Sequence, residues 1–183
     1  SLLCSIMNLR PAIFFDRDGV VNVSPPRELR YLRRWEEFHF IEGMIEVLAE
    51  VKAKGYPMIL ITNQQGVGKG LMSLDALQEV HRAMQAALGD NGASFDGIYA
   101  ATGLTGKDVR RKPSPRMLEE AAREHGIDLS RSWMIGDHDN DMRAGAAAGT
   151  GTIRVQGLKE ISVASDFRVA DVPALRRLLL ELL

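Results

Sequence analysis

The 183-residue sequence predicts an α/β chain built on a doubly wound, mainly parallel sheet. Three observations lead there. Short apolar runs rich in β-branched residues recur along the chain, amphipathic helical stretches separate them, and acidic, hydroxyl and basic residues gather just after the runs end. Continuous apolar runs suit strands covered on both faces, and strand–helix alternation builds right-handed βαβ units. In such sheets ligands bind beyond the carboxyl ends of the strands.

The elements follow in order. The first run is Ala12–Phe15. A helix comes next, with Met44, Ile45, Val47, Leu48 and Val51 on one apolar face and Gly55 as its stop. The second run, Met58–Thr62, precedes a helix capped by Ser73, with Leu74, Leu77, Val80, Met84 and Leu88 directed at the core. The third run, Gly97–Ala100, leads to a helix with Ser114 as cap and Pro115 at its first position. Met117, Leu118, Ala121 and Ala122 form its apolar face, and Gly126 ends it. The fourth run is Ser132–Ile135, and a helix starts near Asn140 and ends near Gly149. The fifth is Thr152–Val155. A short strand near Phe167–Val169 and a helix from about Pro173 to Leu182 complete the pattern. Residues 1–10 read as an N-terminal extension and residues 11–183 as one domain. The segments from Gly19 to the first helix and from Leu88 to Arg111 are too short for a large cap domain.

Composition narrows the function classes. The 23 Lys plus Arg nearly balance 24 Asp plus Glu, so the basic footprint of a nucleic-acid binder is missing. The longest apolar stretches, such as Met58–Ile61 and Leu178–Leu180, are far too short to span a bilayer. Ser1–Met7 lacks the basic region that opens a signal peptide. The expectation is a cytoplasmic protein, monomeric or weakly oligomeric, without nucleic-acid or membrane partners. The one cysteine, Cys4, supports neither an intramolecular disulfide nor a cysteine-based zinc site, so no structural zinc is expected.

Four segments carry chemistry. They are Asp16-Arg17-Asp18-Gly19-Val20-Val21-Asn22, Thr62-Asn63-Gln64-Gln65-Gly66-Val67-Gly68-Lys69-Gly70, Arg110-Arg111-Lys112-Pro113-Ser114-Pro115 and Gly136-Asp137-His138-Asp139-Asn140-Asp141. All four should converge on one rim of the sheet. Asp16, Asp18, Asp137 and Asp141 would then be neighbours, and carboxylates about 4–6 Å apart repel one another. A hard divalent cation with oxygen ligands, Mg²⁺, is the economical compensation. Lys112 adds a second positive charge, and Thr62 with the amides after it adds neutral donors. Acids, a metal, a lysine and a hydroxyl around one point describe phosphoryl transfer. Gly19 begins a turn, so Asp16 and Asp18 can face one phosphorus differently. One can attack and form an aspartyl phosphate; the other can protonate the leaving oxygen and then activate water. A phospho-acceptor signalling module would share the acids, the Thr and the Lys. It would lack an acid two residues beyond the phosphorylated one.

Other residues read more plainly. Asp139, just before a helix, reads as a turn former or cap. Gly66, Gly68 and Gly70 resemble a phosphate-cradling loop without the Walker spacing. His39, His81 and His125 read as structural or surface residues, and Trp35 and Trp133 as packing, with Trp133 in the core. His138 stands between a substrate contact and a solvated loop residue.

In order, the Asp-x-Asp-Gly motif, the strand-end Thr62, Lys112 ahead of a helix and the Gly-Asp-x-x-x-Asp of residues 136–141 resemble the haloacid dehalogenase superfamily of phosphatases. Residues 16–22, 38–43, 62–67 and 111–117 are similar to its D-glycero-D-manno-heptose 1,7-bisphosphate phosphatase and histidinol-phosphatase group. The likeness runs from about Pro11 to Gly157. It implies a Rossmann-like sheet without a large cap, acting on a small phosphorylated metabolite. A sugar bisphosphate comes first, then histidinol phosphate, then a polynucleotide 3′-phosphate. It implies Asp16 as nucleophile and Asp18 as general acid/base. Asp16, the Asp18 carbonyl and Asp137 would hold Mg²⁺, with Asp141 in support. Thr62, Asn63 and Lys112 would bind the transferred phosphate; Arg111 would meet a second polar or anionic group of the substrate. Two features depart from that group. No cysteine occupies the Ala100–Arg110 segment where a zinc loop is common, and His138 follows Asp137 where Lys or Arg is usual.

Overall fold

The computed structural model describes residues 8–157 and 159–183. Its strands are β1 (Ile13–Phe15), β2 (Met58–Asn63), β3 (Gly97–Ala101), β4 (Trp133–Gly136), β5 (Gly151–Val155) and β6 (Phe167–Val169). Its helices are α1 (Met44–Ala53), α2 (Leu74–Gly89), α3 (Arg116–His125), α4 (Asp139–Ala148) and α5 (Val172–Leu182). The six strands form one parallel sheet in the order β3-β2-β1-β4-β5-β6. The chain winds outward from β1 to β3, then returns to place β4 on the other side of β1. The β1/β4 junction is therefore the topological switch point, where open α/β sheets bind ligands.

Side-chain alternation along the strands divides the core into two layers. Ile13, Phe15, Met58 and Leu60 pack with Val47, Leu48, Val80, Met84 and Leu175. Phe14, Ile59, Ile61 and Met134 pack on the opposite face with Met117, Leu118, Ala121 and Ala144. Burial on both faces explains the continuous apolar runs.

Local details differ from the sequence reading. Leu74 opens α2 but is half exposed, because the first turn overhangs the edge of the core; Ser73 still caps it through the Ala76 amide. Pro115 occupies the cap position of α3, so the helix begins one residue later than expected. His138, not Asp139, caps α4. Trp133 is only half-buried, against Phe167 and across Gly151, where a Cβ would lie 2.4 Å from its ring. The glycines after β2 serve close packing: a Cβ at Gly66 would meet Tyr31 at 2.9 Å, and one at Gly68 the Thr102 carbonyl at 2.6 Å.

Two short segments surround the rim in place of a large cap. One spans β1 to α1 and is stiffened by the aromatic group Trp35, Phe38 and Phe40. The other joins β3 to α3. There Asp108 accepts from the amides of Gly103 and Arg110, while Arg110 donates to Glu120 and to the Ala100 carbonyl. Arg110 thus ties the loop to α3. Among the described residues, no helix is long and apolar enough to cross a membrane.

Candidate active site

The β1–β4 register sets the centre of the site. Phe15 pairs with Ile135, so Asp16 and Asp137 leave the sheet on adjacent strands. The Asp16 amide still donates to the Ile135 carbonyl at 3.0 Å. On the other flank, β2 ends at Thr62 and Asn63. Asn63 then reaches across to the loop before α3. Its amide nitrogen donates to the Lys112 carbonyl at 3.0 Å, and its oxygen accepts from the Lys112 amide at 2.9 Å. This two-point clamp fixes the backbone of Lys112.

Lys112 points into the centre and is buried. Its ammonium donates to Asp16 Oδ1 at 2.8 Å, Asp141 Oδ1 at 2.6 Å and the Ile61 carbonyl at 2.8 Å. Those three bonds use its three protons. Asp141 Oδ2 accepts from the amides of Asp137 and His138, which closes the first turn of α4. The His138 ring completes the cap: Nδ1 accepts from the Asn140 amide at 3.0 Å. That bond leaves the proton of a neutral ring on Nε2.

Asp16, Asp18, Asn63, Arg111, Lys112, His138, Asn140, Asp141 and Lys159 line one cavity of about 170 Å³. Thr62 lies buried behind it, its hydroxyl accepting from Gln64 Nε2 at 2.9 Å. Asp137 sits beside it, paired with Lys159 at 2.9 Å. The four expected segments do meet on one rim. Gly19 makes this approach practicable. It holds a φ of +89°, and a Cβ there would lie 2.0 Å from Asp137 Oδ2.

The electrostatics divide the carboxylates. Burial raises the Asp16 pKa well above the ordinary range; Asp141 and Asp137 push the same way, and Lys112 opposes them. Burial works against the charge of Lys112, but Asp141 and Asp16 outweigh it and hold the ammonium above its ordinary value. Burial also works against Asp18, yet Arg17, Asn22 and Gln64 bring its pKa below normal. His138 is lowered by burial and by Lys159, in keeping with its acceptor role at the cap.

The donor set fits a hard cation. Asp16, Asp137 and Asp141 each offer an oxygen, all within 4.8 Å of one another. Asp137 Oδ1 is buried and has no partner among the described residues. A divalent ion with oxygen ligands would satisfy that atom and offset the repulsion that raises Asp16.

Lys159, Arg154 and Ser162 were not singled out from sequence, and Arg17 only as part of its segment. Lys159 follows β5, whose carboxyl end belongs to the same rim, so the strand-end rule could have reached it. Asp139 accepts from Arg154 and from Ser162, which ties the start of α4 to the segment carrying Lys159. Arg17 is fully buried, and its side chain bridges Asp18 to His81.

Known proteins resemble this chain in sequence and in fold. The haloacid dehalogenase-like hydrolase model matches residues 13–149. A D-glycero-beta-D-manno-heptose-1,7-bisphosphate 7-phosphatase of Photorhabdus laumondii is 37% identical over 150 residues, covering 78% of each chain. Its counterpart in Pasteurella multocida is 40% identical over 147 residues, covering 76% of this chain and 78% of its own. The crystal structure of D,D-heptose 1,7-bisphosphate phosphatase from B. bronchiseptica, complexed with magnesium and phosphate, superposes with a TM-score of 0.81. It is 27% identical, covering 93% of this chain and 98% of its own.

Proposed function

The chain belongs to the haloacid dehalogenase-like hydrolase family, and on that premise we propose that it removes the 7-phosphate of D-glycero-D-manno-heptose 1,7-bisphosphate. Arg111 carries the substrate reading. Its Nη1 is buried with no partner among the described residues, and the side chain lines the cavity next to Lys112. A buried donor without an acceptor is costly, and a second phosphate would supply one through a charge-assisted bond.

The reaction follows from the positions of the side chains. The transferred phosphate lies against Asp16, with Lys112 balancing the charge. Thr62 accepts from Gln64, which leaves its own proton free for a phosphate oxygen. Asn63 keeps Lys112 in place at the edge of that pocket. An Asp16 oxygen bonds to phosphorus as the bond to the sugar oxygen breaks, and Asp18 gives that oxygen a proton. Asp18 then takes a proton from water, whose oxygen bonds to phosphorus as the aspartyl bond breaks. Inorganic phosphate leaves and Asp16 is restored. Asp16, the Asp18 carbonyl and Asp137 would hold Mg²⁺, with Asp141 in support through Lys112 and the α4 amides. When bound, the ion supplies positive charge at the phosphoryl oxygens. Arg111 holds the remaining phosphate, and the His138 Nε2 proton meets the sugar or that phosphate. Residues 11–183 act as one domain, in the cytoplasm, on a small sugar phosphate rather than on nucleic acid or membrane.

The test is phosphate release with Mg²⁺ from both anomers of the bisphosphate, from histidinol phosphate and from a 3′-phosphorylated oligonucleotide. One bisphosphate anomer should give the highest kcat/KM and yield heptose 1-phosphate. No release from either anomer would reject the reading. Two further results are expected. Arg111→Ala should raise KM for the bisphosphate by about 10- to 100-fold, the worth of a charged hydrogen bond, and barely change it for heptose 7-phosphate. Chelation should abolish turnover, and added Mg²⁺ should raise the Tm of the wild type but not of Asp137→Asn, as read by thermal melts.

A further inference from the structure

We propose that His81 is a positioning residue for the reaction: through Arg17 it holds the Asp18 carboxylate in place at the site. The proposal rests on the reading of Asp18 as general acid/base. Arg17 lies between the two acids in sequence and is fully buried. Its Nε and Nη2 both donate to Asp18 Oδ1, at 3.2 and 3.0 Å. Its Nη1 lies 3.0 Å from His81 Nε2, on α2. The Phe38 ring lies beside the guanidinium, its centroid 6.0 Å away. A guanidinium can only donate, so the facing ring nitrogen must be bare and the ring proton must sit on Nδ1. Burial and the Arg17 charge push the His81 pKa down to about 3, which keeps the ring neutral and able to accept.

The consequence for Asp18 is geometric. Asn22 donates to the same Oδ1 at 2.9 Å, and Gln64 donates to Oδ2 at 3.1 Å. Those two bonds alone allow the carboxylate to tilt; the Arg17 fork fixes the remaining direction. Without His81 the Nη1 group would be buried and unpaired, and the fork would turn toward another acceptor. His81 also borders an open groove of about 850 Å³ between α2 and β3, lined in part by Leu77, Gln85, Tyr99 and Arg110. A small molecule can therefore reach the space that the imidazole fills.

The experiment compares His81→Ala, His81→Gln, His81→Leu and Asp18→Asn in the Mg²⁺-loaded protein, with the heptose bisphosphate as substrate. His81→Ala should lose about 10- to 100-fold in kcat with KM within about twofold, as for other residues that orient a reacting group. His81→Gln, whose amide oxygen can accept, should recover most of the rate. Imidazole at millimolar concentration should partly restore His81→Ala and leave the wild type unchanged. If the Ala variant does not fold, Gln against Leu decides, with Gln about tenfold faster. Equal rates in Gln and Leu, or a His81→Ala kcat at wild-type level beside an inactive Asp18→Asn, would overturn the proposal. A fully active Asp18→Asn would instead overturn the acid/base reading on which it rests.

Discussion

Replacing Asp16 by Asn should lower kcat by about 10⁴-fold or more and leave the protein folded. The size of the loss follows from the loss of a nucleophile, which no neighbour can replace. Asp18 is held by Arg17, Asn22 and Gln64, and Asp141 is held by Lys112 and two amides. Neither is free to attack in its place. Stability should not fall with activity. The Asp16 carboxyl is buried beside Asp141 and Asp137, and its raised pKa means that ionising it costs the folded state. An Asn there keeps an oxygen for Lys112 and removes one of the crowded charges. Rapid quenching of a reaction with ³²P-labelled substrate should trap a phosphoprotein in the wild type and none in the variant. Turnover by Asp16→Asn at a tenth of the wild-type rate or more would refute the covalent route.

The fold was legible wherever local pattern and burial agree. The β1 segment, Met58–Ile61 of β2 and Trp133–Ile135 of β4 are apolar at every position, which in an alternating chain leaves little beside a parallel sheet. Asp16, Asp18 and Asp137 were legible because they follow strand ends, Asp141 and Lys112 because they stand at or just before helix starts on the same rim, and connectivity alone brings those positions together. Cases in which two residues compete were harder to read. Asp139 and His138 can both cap α4, and the choice depends on Arg154 and Ser162, which engage Asp139 from segments later in the chain. Gly66 and Gly68 have the look of a ligand loop because only Tyr31 and the Thr102 carbonyl, both distant in sequence, reveal what presses on them. His81 has an ordinary place on an amphipathic helix. Its link to Asp18 runs through Arg17 and exists only once α2 has packed beside β1. Chemistry of that kind leaves no spacing to read.

Replacing Lys112 by Met should damage both activity and stability, and the two losses should separate in a second variant. The ammonium sits between Asp16 and Asp141, all three buried. Removing one partner of a buried ion pair strands its charge, at a cost of about 3–5 kcal/mol. Turnover should fall on the order of 10³-fold, because the positive charge at the transferred phosphate is gone. Lowering the pH should narrow the stability gap. The stranded Asp16 takes up a proton more readily in the folded variant than in its unfolded chain, so stability returns as pH falls through its raised value. Adding Asp141→Asn to Lys112→Met removes one of the two facing charges. The double variant should regain much of the lost Tm, a non-additive result of the kind that contacting residues give. Its kcat should stay near that of Lys112→Met, since nothing then balances the phosphate. Recovery of turnover together with Tm would mean that Lys112 serves the packing of the acids alone, and the phosphate-binding role would have to pass to other cations of the cavity, Arg111 or Lys159.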